Sequence, residues 1–145
     1  MNHQKELKYN YVKNEIENYN YYLSQIEKID ADLREIGEAL DEPRSPGSII
    51  RMGNKSIKIG DTNWINELVA EEQRLFEELE EWQHKVERID KWLLVLSPSY
   101  QKAIRAYVIE NKCRDAQSVA DKIGYTKRGL LSIVLKSIKK ISNIF

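Results

Sequence analysis

Apolar residues recur at intervals of three and four along most of this chain, the spacing that puts side chains on one face of a helix. Over about residues 4–41, Val12, Ile16, Tyr19, Leu23 and Ile26 follow this rule, and Ile29, Leu33, Ile36 and Leu40 continue it. The phase slips between Ile26 and Ile29, so the stripe is helical without being a strict heptad. Gly37 costs about 1 kcal/mol in a helix interior and weakens the last turn. A second stripe is more regular. Ile65, Leu68, Leu75, Leu79, Trp82, Val86, Ile89, Leu93 and Leu96 alternate by three and four, with Glu72 the single polar seam position. A sustained 3.5-residue repeat is a coiled-coil seam, and Asp61 or Thr62 can cap its start. Neither helix buries its stripe alone. The economical arrangement is a long antiparallel helical hairpin; pairing between chains is the rival, and the two can coexist.

Pro and Gly cluster in a linker over residues 43–60. Within it, Ser48–Met52 and Lys55–Ile59 are β-prone runs around Gly53-Asn54, a two-residue turn signal. In that register Ile50 faces Ile57, and Ile50, Met52, Ile57 and Ile59 share a face. A disordered basic loop carrying Arg44, Arg51, Lys55 and Lys58 is the alternative. Ser97-Pro98 then ends one helix and starts another, as an N-cap and a first-turn proline do. Tyr100, Ala103, Ile104, Tyr107 and Val108 form its apolar face. A short helix fits residues 115–123, capped by Asp115 and stopped by Gly124, and Thr126 caps a last helix running towards Ser142.

Residues 119–133 carry the strongest functional pattern. A helix-turn-helix needs a small residue where its helices touch, a positive φ in the turn, and an aliphatic side chain reaching back from the second helix. Ala120, Gly124 and Leu130 stand at those intervals, and Val119, Ile123, Tyr125 and Ile133 fall at the remaining core positions. In such modules the second helix enters the major groove of double-stranded DNA by its first turns. That predicts an outward face of Thr126, Lys127, Arg128, Leu131, Ser132 and Leu135. Arg128 suits a guanine edge, Leu131 a thymine methyl, and Ser132 a base or phosphate. Lys102, Arg105, Lys112, Arg114, Lys122, Lys136, Lys139 and Lys140 suit phosphates.

Charge changes the picture more than composition does. The 145 residues suit one domain or two very small ones, and 23 basic and 23 acidic side chains cancel. Residues 1–96 hold 13 Lys/Arg against 20 Asp/Glu, and residues 97–145 hold 10 against 3. The expected organisation is therefore an acidic helical arm for oligomerisation (1–96) and a basic helix-turn-helix domain (97–145), an all-α protein with a small β-hairpin in its linker. The one cysteine, Cys113, makes no internal disulfide and has no nearby histidine, so a buried or idle thiol is expected rather than a nucleophile. His3 and His84 form no zinc pattern, and Gly53-Asn54-Lys55-Ser56 lacks the glycine spacing of a phosphate loop. Glu77-Glu78-Leu79-Glu80-Glu81 reads as a solvated face, and Trp64, Trp82 and Trp92 read as core or interface residues. No catalytic constellation, metal or cofactor site is expected. No run approaches the length of a membrane span, and the first residues lack a signal-peptide core, so a cytoplasmic location is expected.

The stretches Leu96-Ser97-Pro98-Ser99-Tyr100-Gln101-Lys102-Ala103-Ile104 and Ser118-Val119-Ala120-Asp121-Lys122-Ile123-Gly124-Tyr125-Thr126 resemble region 4 of bacterial sigma factors. In layout the chain is more similar to the ArpU/RinA-type phage late transcriptional regulators. That resemblance implies a late-gene activator that binds promoter DNA in a bacterial host and works with RNA polymerase. One departure stands out. Gly129 weakens the recognition helix, and Leu131, Val134 and Leu135 add apolar surface where such helices usually carry cations. This face suits DNA, a protein partner or a dimer contact. A coiled-coil adaptor or antirepressor is one rival reading. A small terminase-like packaging subunit is another, although those usually carry the DNA-binding helices first.

Overall fold

A computed structural model describes residues 2–41, 45–52, 55–60 and 63–144. It is mostly helical, with one two-stranded antiparallel sheet among the described residues. The first predicted helix is two: α1 (His3–Glu17) and α2 (Tyr19–Asp41). They part at Asn18, whose N–H is shared between the carbonyls of Asn14 and Glu15 at 3.2 Å each. Its side-chain amide donates to the Asn14 carbonyl at 2.9 Å, competing with the regular ladder. The break lies eight residues before the expected phase slip. Gly37 does not end α2, which continues to Asp41.

The short strands β1 (Ile49–Met52) and β2 (Lys55–Lys58) pair in the expected register, Ile50 opposite Ile57. Ile50, Met52, Ile57 and Ile59 are all buried. The Gly53-Asn54 turn, Arg44, and the proposed caps Asp61 and Thr62 lie outside the described residues. Pairing extends past the strands, where Ile59 donates to Ser48 at 2.8 Å and Gly47 donates back to Ile59 at 2.7 Å. Gly60 takes φ +100° with Pro46 about 3.4 Å from where a Cβ would stand, so a side chain there would meet both strain and contact. The third long helix, α3 (Trp64–Leu94), follows.

The chain packs as two compact units, one of residues 23–84 and one of residues 2–22 with 85–144. In the first, Ile29, Ile36 and Ala39 of α2, the inner face of the sheet, and Leu68 and Leu75 of α3 form one core. Leu33, Leu40, Trp64, Leu79 and Trp82 pack partly against it. Two marginal strands persist because this face removes four large side chains from water, each about 1.5–3 kcal/mol. Ile65, assigned to the seam, is instead half exposed. A carboxylate occupies a buried place beside the seam. Glu71 accepts from Arg74 Nε at 3.1 Å and lies 3.5 Å from Lys55 Nζ, tying the sheet to α3. Arg74 also reaches Glu78 at 2.9 Å.

The second unit contains α1, the end of α3, and the C-terminal helices: α4 (Pro98–Ile104), α5 (Ala116–Ile123) and α6 (Lys127–Ser142). Val12 and Ile16 of α1, Ile89 and Leu93 of α3, and Leu130, Ile138 and Ile141 of α6 are buried. Helix α6 packs against α1, α4 and α5. A polar cluster holds α1 to α3. Glu15 accepts from the Tyr22 hydroxyl and lies 3.3 Å from Arg88. The Arg88 guanidinium sits over the rings of Tyr11 and Trp92, 5.7 and 5.3 Å from their centroids. Ser97 caps α4 with Pro98 in the first turn, as the sequence predicts. Helix α4 then runs into a π-helical turn over Arg105–Glu110. It closes where Cys113 N–H meets the Tyr107 carbonyl at 2.9 Å and the Tyr107 hydroxyl donates to the Cys113 carbonyl at 2.9 Å.

Candidate nucleic-acid interface

Helix α5 ends because Gly124 adopts φ +83° and Tyr125 donates back to the Ala120 carbonyl at 2.8 Å. Two residues later, Thr126 starts α6. Its hydroxyl accepts the Gly129 N–H at 3.0 Å and its carbonyl accepts from Leu130 at 2.9 Å. These local bonds set the rotation of α6 and hence what faces out. Val119, Ala120 and Leu130 are buried, and Ile123, Tyr125 and Ile133 are half-buried. Thr126, Lys127, Arg128, Leu131, Ser132 and Leu135 are all exposed. Leu131 and Leu135 remain 40% and 42% exposed.

Two sequence expectations need correction, and a third gains a detail. Val134 adds no apolar surface: it lies four residues after Leu130, on the same face, and is buried. Asp115 does not cap α5 with its side chain, because its φ of +52° places it in the left-handed region, where no cap bond forms. Gly129 has a local role besides its helix cost. A Cβ there would stand 3.0 Å from the Thr126 hydroxyl, so the cap fits tightly against the missing side chain.

Electrostatically, α6 is one-sided. It carries Lys127, Arg128, Lys136, Lys139 and Lys140 and no acid. Among the described residues none of these five forms an ion pair, so their charge is not neutralised locally. Lys102 and Arg105 lie together in an open groove of about 470 Å³ with Gln101, Glu110 and Ile123. Exposed Lys122 precedes Ile123 directly in sequence. Lys139 is elsewhere. It stands roughly 18 Å along α6 from Lys127, in a depression shared with Lys5 and Asn143. Lys5 comes from α1, which packs on α6, a pairing that the apolar stripe of α1 does not specify. Lys112 and Arg114 are exposed in the α4–α5 connection. There Lys112, Cys113 and Asp115 all hold positive φ without being glycine, a rare and strained run.

The lone thiol is half-buried. Burial, then its hydrogen bond and the charge of Glu17, push Cys113 up to about 12, with Lys13 opposing. Against the ordinary value of 9.0, the thiolate fraction at pH 8 should fall about a thousandfold. Alkylation of the native chain should be correspondingly slow by mass spectrometry. Glu17→Gln should speed it, because the negative charge is lost while burial and an uncharged acceptor oxygen remain.

Among the described residues, no helix is long and apolar enough to cross a membrane. Compared with protein-family models, curated proteins and solved structures, the chain matches none of them.

Proposed function

We propose that this chain is a DNA-binding transcriptional regulator in which α5 and α6 act as a helix-turn-helix. Helix α6 enters the major groove, where a single helix about 10–12 Å across fits. The observation that carries this reading is the charge of α6: five exposed cations, no acid and, among the described residues, no ion pair, on a helix that starts at a capped N-terminus behind a glycine turn. Lys127, Arg128 and Ser132 read base edges and Leu131 meets a thymine methyl. Lys102, Arg105, Lys122, Lys136 and Lys139 take phosphates. Helices α2 and α3 form the antiparallel arm, which serves homo-oligomerisation. In this reading the chain belongs with the ArpU/RinA-type late regulators, acts in the bacterial cytoplasm and works with RNA polymerase at phage late promoters.

Fluorescence anisotropy of the full chain on duplex DNA tests this. Each phosphate neutralised should add about −0.9 to the slope of log affinity against log salt. Lys136→Gln should flatten that slope by about 1 on every sequence, while Arg128→Gln should cost affinity mainly on the preferred one. If no duplex binds at low salt with the chain dilute enough to be monomeric, or if Lys127→Glu with Arg128→Glu leaves binding unchanged, the reading is wrong. The exposed pair Leu131 and Leu135 favours a second reading, a protein-binding adaptor. It predicts no salt-dependent DNA affinity.

A further inference from the structure

Helix α3 has a second apolar stripe that no described residue of its own unit covers. Ile65, Val69 and Phe76 are 51%, 45% and 53% exposed. Their spacing of four and seven puts them on one face, off the buried line of Leu68 and Leu75. Val69 and Phe76 line a shallow groove of about 350 Å³, rimmed by Glu72, Glu77 and Glu80. An apolar stripe with an acidic rim fits an amphipathic helix carrying apolar residues one turn apart and cations beside them. The chain itself displays such a helix. Leu131 and Leu135 of α6 are one turn apart and exposed, with Lys127, Arg128, Lys136 and Lys139 around them.

The charges of the two packing units reinforce this match. Residues 23–84 hold 7 Lys/Arg and 15 Asp/Glu, whereas residues 1–22 and 85–145 hold 16 and 8. The units therefore carry −8 and +8, a sharper separation than a cut at Ser97 gives. We propose that the acidic apolar face of α3, around Val69 and Phe76, binds the basic α6 face of a second copy of this chain. Each copy carries one face of each kind, so the contact pairs unlike faces. A copy seated on α6 covers Leu131 and Lys127, so self-association competes with DNA. The association itself does not require the DNA reading; the competition rests on it.

Sedimentation velocity of the full chain without DNA tests the contact. Association should be strong at low salt and weaken as salt rises. Phe76→Lys and Leu135→Glu, both at exposed positions, should each weaken it about tenfold or more. Mixing these two variants should restore association, because the mixed pair keeps one wild-type α3 face against one wild-type α6 face. Glu77→Lys and Lys136→Glu form a second such pair. Circular dichroism matching the parent confirms that each variant folds. A chain monomeric at every concentration at low salt overturns the proposal. So does an oligomer indifferent to both pairs, or a mixture that stays monomeric. DNA binding that persists while association is absent defeats this contact alone and leaves the function standing.

Discussion

Leu130→Ala should destabilise the chain by about 2–5 kcal/mol in urea unfolding, while Leu131→Ala, one residue on, should cost about 0.5 kcal/mol or less. Leu130 is fully buried, whereas Leu131, about 100° further round α6, is 40% exposed. Truncating Leu130 loses its transfer free energy and leaves a cavity among side chains already packed against α1, α4 and α5. That site cannot collapse easily, because Thr126 and the Gly124 turn fix the start of the helix. The same pair should separate stability from recognition. Leu131→Ala should lower DNA affinity, or self-association, in a protein that melts normally. Leu130→Ala should change binding only in step with the folded fraction. If Leu131→Ala proved the more destabilising, the rotation of α6 described above would be wrong, and with it the outward face on which the functional reading depends.

That rotation was largely legible in the sequence, because short-range chemistry sets it. A capping threonine, a glycine in the turn and an aliphatic residue four positions beyond the cap specify the face without knowledge of the rest of the fold. The sheet register was legible for the same reason: side chains alternate, and pairing Ile50 with Ile57 puts four apolar residues on one face. Val134 was equally accessible, since it lies one turn after Leu130. The division at Asn18 was not. An apolar stripe reports which side of a helix is buried, and a local shift of hydrogen bonds at a polar residue leaves that stripe unchanged. Nor did the stripe tell what would cover it. Val12 and Ile16 are equally apolar whether α3 or α6 lies opposite, and for this reason the basic neighbour Lys5 went unseen. The π-helical turn after Ile104 and the strained connection at Lys112, Cys113 and Asp115 depend on how α4 and α5 must join, which no local pattern encodes.

Glu71 was missed because a charged residue inside a packed face looks from sequence like one more solvent-facing acid. It leads to the other large expected effect. Its carboxylate is almost wholly buried, and the hydrogen bond from Arg74 is the main cause that holds it below the usual carboxylate range, against burial, with Lys55 assisting. Because its folded value is depressed, Glu71 contributes stability above its unfolded value, and loses it as pH falls through the folded value. Stability should therefore rise with pH through the acid range. Arg74→Met should cost about 1–3 kcal/mol at neutral pH, less than the ~3–5 kcal/mol of a fully buried pair, because Arg74 is half exposed and water replaces part of its contact. It should also flatten the acid-range slope. Adding Lys55→Met removes the second cation, leaving burial and the neighbouring carboxylates of Asp32 and Glu78. Burial and the charge of Glu71 already hold Asp32 above its ordinary value. Glu71 should then rise above its unfolded value, and the sign of its own contribution should invert: relative to the triple variant that lacks Glu71, the double variant should lose stability as pH climbs out of the acid range. Adding Glu71→Met to the pair should recover most of the loss, since replacing a whole buried ionic group by apolar side chains of similar volume is often neutral or stabilising. Urea titrations of the four proteins from acid to neutral pH decide this. A double variant that gains stability with pH relative to the triple variant would mean that Glu71 is better hydrated than its burial implies, and that the ion pair does not hold the sheet to α3.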